Sequence, residues 1–189
     1  VSSAVVDLAE GEVLELQARG RFDLHESEHF EILRMKTATF IAACCEVGAL
    51  VACAPDFVRE ALGRYGYHIG MAFQIVDDLL DYRGCASETG KPSATDFREG
   101  CATLPLLALR DLITAEERDQ VRVLFGADVS DEQVEALRER MRTHGAFDRA
   151  EQAALKHRDQ AIAALESVGK TPERALLEAV AHFVVQRRA

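Results

Sequence analysis

A chain of 189 residues, 48% of them apolar and only 6% aromatic, can bury one sizeable core without help from disulfides or metals. Four prolines, no tryptophan and an excess of Ala, Leu, Glu and Arg favour helices throughout and leave little room for sheet. A formal charge of -10 argues against a nucleic-acid backbone as partner, because counterion release needs clustered Lys and Arg. It does not exclude an anionic ligand held by a few local cations or by a divalent metal. Cys44, Cys45, Cys53, Cys85 and Cys101 form an odd set without a CxxC pair, which predicts reduced core thiols in a cytoplasmic protein.

In chain order, Val5, Leu8, Val13 and Leu16 predict an opening helix that the Gly20 region ends. This helix is already under way at Val1, with no initiator Met and no signal-peptide layout, as expected of a piece of a longer polypeptide. A second helix is expected from Glu26 through Ile32, Leu33, Phe40 and Ile41 to Val47, with Gly48 as a break and a further helical stretch to Cys53. Thr37 to Ala54 is long enough for a short membrane span. Glu46 in its middle costs roughly 2.5 to 3.5 kcal/mol on insertion scales, so a buried core helix is the better reading. Pro55 and Asp56 begin a long helix that runs through Ile69, Phe73, Ile75 and Leu80 to Tyr82 and stops at Gly84. From Arg83 to Glu99 the apolar period is lost in a long loop, of the kind that often serves as a lid or binding segment. Helices then resume over 104–112, 114–125, 131–144, 148–168 and 172–186, with Thr114 to Glu117 as a capping box and Ser130 as a cap.

The chemistry is concentrated in FQIVDDLLDYRG. On a helix Asp77, Asp78 and Asp81 share one face and repel one another. They also sit at the C-terminal end, where the helix dipole disfavours each anion by about 0.3 to 1 kcal/mol. A solvated acidic face is the bland explanation, but Ile75, Val76, Leu79 and Leu80 make this turn apolar. A bound cation removes both objections, and hard carboxylate oxygens suit Mg²⁺, which takes one or two carboxylates and completes its shell with water and substrate phosphate. Lys36, at the head of an apolar run, and Lys91, in the glycine-bearing loop, are candidate fixed cations; each is otherwise an ordinary surface lysine. Gln74 is a polar side chain on an apolar helix and needs partners.

The strings GEVLEL (11–16), RMKTATFIAACCEVGA (34–49), YGYHIGMAFQIVDDLLDY (65–82), TGK (89–91), DFREG (96–100) and TLPLL (103–107) together resemble trans-isoprenyl (polyprenyl) diphosphate synthases, octaprenyl-type long-chain enzymes in particular. The resemblance covers essentially the whole chain and matches the C-terminal part of such a synthase. It implies an all-α bundle of the isoprenoid synthase type around a central cavity, with residues 1–189 as part of a single domain. It further implies a cytoplasmic homodimer that condenses isopentenyl diphosphate with an allylic diphosphate, and no membrane span. Carried over by position, Asp77, Asp78 and Asp81 match the second aspartate-rich motif that holds Mg²⁺ against the allylic diphosphate. Lys36 and Thr37 match a KT pair whose lysine contacts that diphosphate, Gln74 the glutamine before the motif, and Lys91 the loop lysine. Catalytic roles fall to Asp77, Asp78 and Lys36.

The departures matter too. The family's first aspartate-rich motif and its N-terminal Gly-Lys and Arg elements for isopentenyl diphosphate have no match, so these 189 residues alone are expected to be inactive. Cys101 stands where many relatives have lysine. A non-catalytic subunit of a heteromeric synthase is the alternative reading. HESEH (25–29) also fits the HExxH pattern of zinc hydrolases, but it begins a polar helix and lacks the apolar lead-in of a buried metal helix.

Overall fold

The computed structural model describes residues 2–84 and 93–187, and every regular element among them is helical. Helix α1 is Ser2–Ala18, α2 is Glu26–Leu33, and a π-helical turn, Arg34–Ala38, leads into α3, Thr39–Val51. Helix α4, Asp56–Arg83, is the longest. It is followed by a single turn α5 (Thr95–Arg98), then α6 (Leu104–Leu112), α7 (Ala115–Leu124), α8 (Asp131–Thr143), α9 (Ala146–Ala164, closed by a 3-10 turn at Leu165–Ser167) and α10 (Pro172–Gln186).

Local chemistry accounts for most of these limits. Thr114 and Ser130 each form a reciprocal capping box, with Glu117 and Gln133, satisfying backbone donors that a helix start leaves open. Thr171 accepts from the Arg174 amide at the start of α10, where Pro172 takes the first helical position and loses no hydrogen bond there. Two expectations need correction. Gly48 does not interrupt its helix; the irregularity lies upstream in the π turn, and the helix runs on to Val51. The loop expected over 83–99 contains the turn α5, whose first amides are held by a side chain from α4 and not by a local cap.

Internal packing divides the chain into two units. The first comprises Val1–Leu14, Phe30–Val76 and Ala153–Arg187. Its core joins Tyr65, Ile69 and Ala72 of α4 to Ala161 and Leu165 and to Ala181 and Val184 of α10. The Tyr65 hydroxyl, buried and pushed well above its ordinary pKa chiefly by that burial, donates to the Leu177 carbonyl at 2.8 Å. Close helix approach in this unit depends on missing side chains. A Cβ at Gly70 would lie 2.6 Å from Cα of Ala38, and one at Gly11 would lie 2.6 Å from the backbone nitrogen of Lys36.

The second unit comprises Glu15–His29 and Asp77–Gln152. Leu104, Leu106, Leu107 and Leu109 of α6 are fully buried. Phe125 meets Phe22 and Phe97 edge-on at 5.5 and 5.7 Å between ring centres, an arrangement favoured by the aromatic quadrupole. Arg110 ties the segment between α1 and α2 to α6 by donating to the Phe22 and Leu24 carbonyls at 3.2 and 2.7 Å. The predicted core thiols are not core: Cys44 and Cys53 are exposed and Cys45 and Cys101 half-buried, all four free, while Cys85 lies outside the described residues. Short Ala-rich and Gly-rich surroundings mark close helix contacts, and these do not require the cysteines themselves to point inward.

Candidate functional site

The three acids of DDLLD leave the last turns of α4 with different surroundings. Asp77 is exposed, Asp78 is 6% exposed, and Asp81 is intermediate. Burial pushes the Asp78 carboxyl upward; a hydrogen bond from His29 opposes this, with Nε2 of His29 3.1 Å from Oδ2 of Asp78. His29 is itself only 4% exposed, so each buried polar group helps to satisfy the other, and the Leu104 backbone adds a further hydrogen bond to Asp78. Asp81 accepts the Thr95 and Asp96 amides on its two carboxylate oxygens, both at 3.0 Å. Its own carbonyl accepts the Ala94 amide at 2.9 Å. One side chain thus nucleates α5 and places Asp96.

Asp96, within DFREG, is the site residue that sequence reasoning misses. Its carboxyl is pushed up to about 8, first by burial and then by Asp78, Asp81, Glu15 and Asp77. A fourth carboxyl therefore belongs to the group, all of it within the second unit. The only signal in the sequence was an acid following a capping-competent Thr95. Cys101 lies beside it: its amide donates to the Asp96 carbonyl at 2.7 Å, and its thiol is pushed up to about 11 by burial and then by Asp96.

Lys36 and Thr37 lie on the π turn of the first unit. Lys36 Nζ is 3.6 Å from Oε1 of Glu12, and its side chain is about a quarter exposed (26%). A π turn displaces side chains from the regular helical register and is frequent at functional positions. Gln74, on α4 in the same unit, is half-buried. Lys91 falls outside the described residues.

The HESEH pattern is a helix start and not a paired-imidazole site. His25 precedes α2 and its Nδ1 meets the Ser27 hydroxyl at 3.0 Å. Glu28 accepts the His25 amide at 2.9 Å, Glu26 pairs with Arg149 at 2.6 Å, and His29 is turned to Asp78. Among the described residues no three His, Cys, Asp or Glu side chains are gathered so as to enclose a metal by themselves. The partly buried carboxylates at the end of α4 are hard oxygen donors, a chemistry that fits Mg²⁺. No described helix is long and apolar enough to cross a membrane.

A polyprenyl synthetase family profile matches residues 1–141. Octaprenyl diphosphate synthase of Escherichia coli (strain K12) is 36% identical over 188 residues, covering 99% of this chain and 58% of that protein. A crystal structure of polyprenyl synthase from Caulobacter crescentus CB15, complexed with calcium and isoprenyl diphosphate, superposes with a TM-score of 0.93 at 37% identity, covering 100% of this chain and 58% of that one. Geranylgeranyl pyrophosphate synthase from Corynebacterium glutamicum, complexed with isoprenyl diphosphate and magnesium, gives a TM-score of 0.86 at 33% identity, over 96% of this chain and 52% of that one. The chain thus spans little more than half the length of the relatives it matches.

Proposed function

Because the chain belongs to the polyprenyl synthetase family, we propose that it carries the second aspartate-rich half-site of a trans-polyprenyl diphosphate synthase, a prenyltransferase. The reaction is the condensation of isopentenyl diphosphate with an allylic diphosphate, with Mg²⁺ as cofactor. Residues 1–189 are read as part of one all-helical catalytic domain. They contain no counterpart of the first aspartate-rich motif, so turnover by these residues alone is not expected.

One observation carries this reading: the Asp78, Asp81 and Asp96 carboxyls around the end of α4 are all pushed upward, first by burial and further by repulsion that includes Asp77. Such a group is unfavourable unless a cation shares it. When bound there, Mg²⁺ would offset the charge that develops on the departing diphosphate as the allylic C–O bond breaks. Asp77, the exposed member, is the foremost direct ligand. Asp78 is oriented by His29, and Asp81 by the amides of α5. Lys36 and Lys91 supply fixed positive charge to the diphosphate oxygens, and Thr37 and Gln74 supply neutral hydrogen bonds.

A homodimer is proposed from the family reading, and the exposed apolar side chains of the first unit, including Phe40, Leu50, Val51 and Phe57, are surface that a second copy would cover. A cytoplasmic location and a long-chain, octaprenyl-type product follow the same family reading. The test is incubation of the intact protein with labelled isopentenyl diphosphate and an allylic diphosphate, with and without Mg²⁺, followed by chain-length analysis. Mg²⁺-dependent label in long prenyl products is expected. A folded protein that incorporates none with Mg²⁺ present would remove the proposal.

A further inference from the structure

Away from the acidic group, within the first unit, two imidazoles face each other. Nδ1 of His68, on α4, lies 3.0 Å from Nδ1 of His157, on α9. Their ring centres are 5.3 Å apart with the planes at 42°. Tyr67 stands edge-on to His68 at 5.1 Å, and Phe30 lies 6.4 Å from His157. Both histidines are half-buried. Burial lowers the proton affinity of both; His157 is brought down to about 4, with His68 and then Lys156 adding to the effect. At neutral pH the pair is therefore two uncharged rings sharing one proton between facing nitrogens.

We propose that His68 and His157 form a two-imidazole site for a borderline divalent transition-metal ion, Zn²⁺, Ni²⁺ or Cu²⁺, clamping α4 to α9. The span is nearly that of a metal site as it stands. Two nitrogens on a tetrahedral Zn²⁺ at about 2.0 to 2.1 Å from the metal are about 3.3 Å apart, so the nitrogens need part only slightly while both rings turn their lone pairs toward the ion. On binding, the donor ring moves its proton from Nδ1 to Nε2, both Nδ1 lone pairs turn to the metal, and no net proton is lost. Neutral imidazole is the form that binds metal, and such nitrogens select these ions over Mg²⁺. No set of three His, Cys, Asp or Glu ligands is assembled among the described residues, so the remaining positions go to water or an external ligand. The site stands independently of diphosphate chemistry.

Isothermal titration of the untagged, intact protein with NiCl₂ at pH 7.5 tests this, alongside His157→Gln and His68→Asn. Wild type is expected to bind one Ni²⁺ per chain more than either variant, and excess Mg²⁺ is expected not to displace it. Equal stoichiometry in all three, or displacement by Mg²⁺, overturns the site. Should neither variant fold, Cu²⁺ electron paramagnetic resonance on wild type decides: coupling to two imidazole nitrogens supports the pair, and coupling to one or none refutes it.

Discussion

Asp78 is buried to 6% exposure with Oδ2 against the His29 imidazole, whereas its neighbour Asp77 is exposed. Adjacent carboxylates of the same motif therefore answer to different tests. Asp77→Ala in the intact protein should lower turnover by about 100-fold or more while leaving the unfolding midpoint nearly unchanged, as befits a group whose work is electrostatic. Normal rates would detach it from the metal. His29→Leu should act on the fold, because it leaves the Asp78 carboxyl buried without that partner, at a cost of about 1 to 3 kcal/mol in urea unfolding. An unchanged midpoint would show the contact to be dispensable. Lys36→Ala should weaken binding of an allylic diphosphate about tenfold, roughly 1.4 kcal/mol; unaltered affinity by titration would exclude Lys36 from the site. DDLLD and Lys36 were legible as residues of chemical interest because acids at a helix C-terminus, and a lysine beside an apolar run, conflict with their local settings. His29 and Asp96 were not, since what distinguishes them is burial beside partners far off in the chain, 49 positions away for His29 and 15 or more for Asp96.

The element that most departs from expectation is the junction of α2 and α3. A regular helix was expected through Thr37, yet residues 34–38 form a π turn with Gly11 of α1 against it. Gly→Ala within a helix normally stabilises by about 0.5 to 1 kcal/mol. At Gly11 the sign should reverse. The new Cβ would meet the Lys36 nitrogen at 2.6 Å and its Cα at 3.0 Å, backbone atoms that cannot swing aside, so a loss of about 1 to 3 kcal/mol is expected. Unfolding of Gly11→Ala by denaturant measures it, and a stabilised variant would show that α1 does not approach the π turn this closely. Helices with local signals were read almost to the residue: the Thr114 and Ser130 boxes, Pro172 at the start of α10 and Gly84 after α4 all act over three or four positions. The turn α5 escaped because its cap, Asp81, is 14 residues from the amide it holds.

For the whole molecule, pH is the informative variable. His157 binds its proton near 4 in the fold, against an ordinary value of 6.5, so between these limits the unfolded chain holds more protons than the folded one. Its contribution to stability is complete above about 6.5, is lost progressively as pH falls to about 4, and changes no further below that. His68, lowered in the same direction, acts with it. Urea midpoints at pH 7 and pH 5 should differ less in His157→Gln than in wild type; an equal drop in both would mean that this pair is not a source of the pH dependence.

Composition and apolar period were sufficient for an all-helical fold, and short-range capping rules for most of its boundaries, because those interactions are settled within a turn or two of chain. The order and spacing of the motifs likewise sufficed for the family. Only the folded chain decided which acid is exposed, which is buried against an imidazole, and which holds a distant turn of helix. It also decided that two histidines 89 positions apart face each other nitrogen to nitrogen. Desolvation and mutual repulsion depend on neighbours in space, and no local pattern of residue types records who those neighbours are.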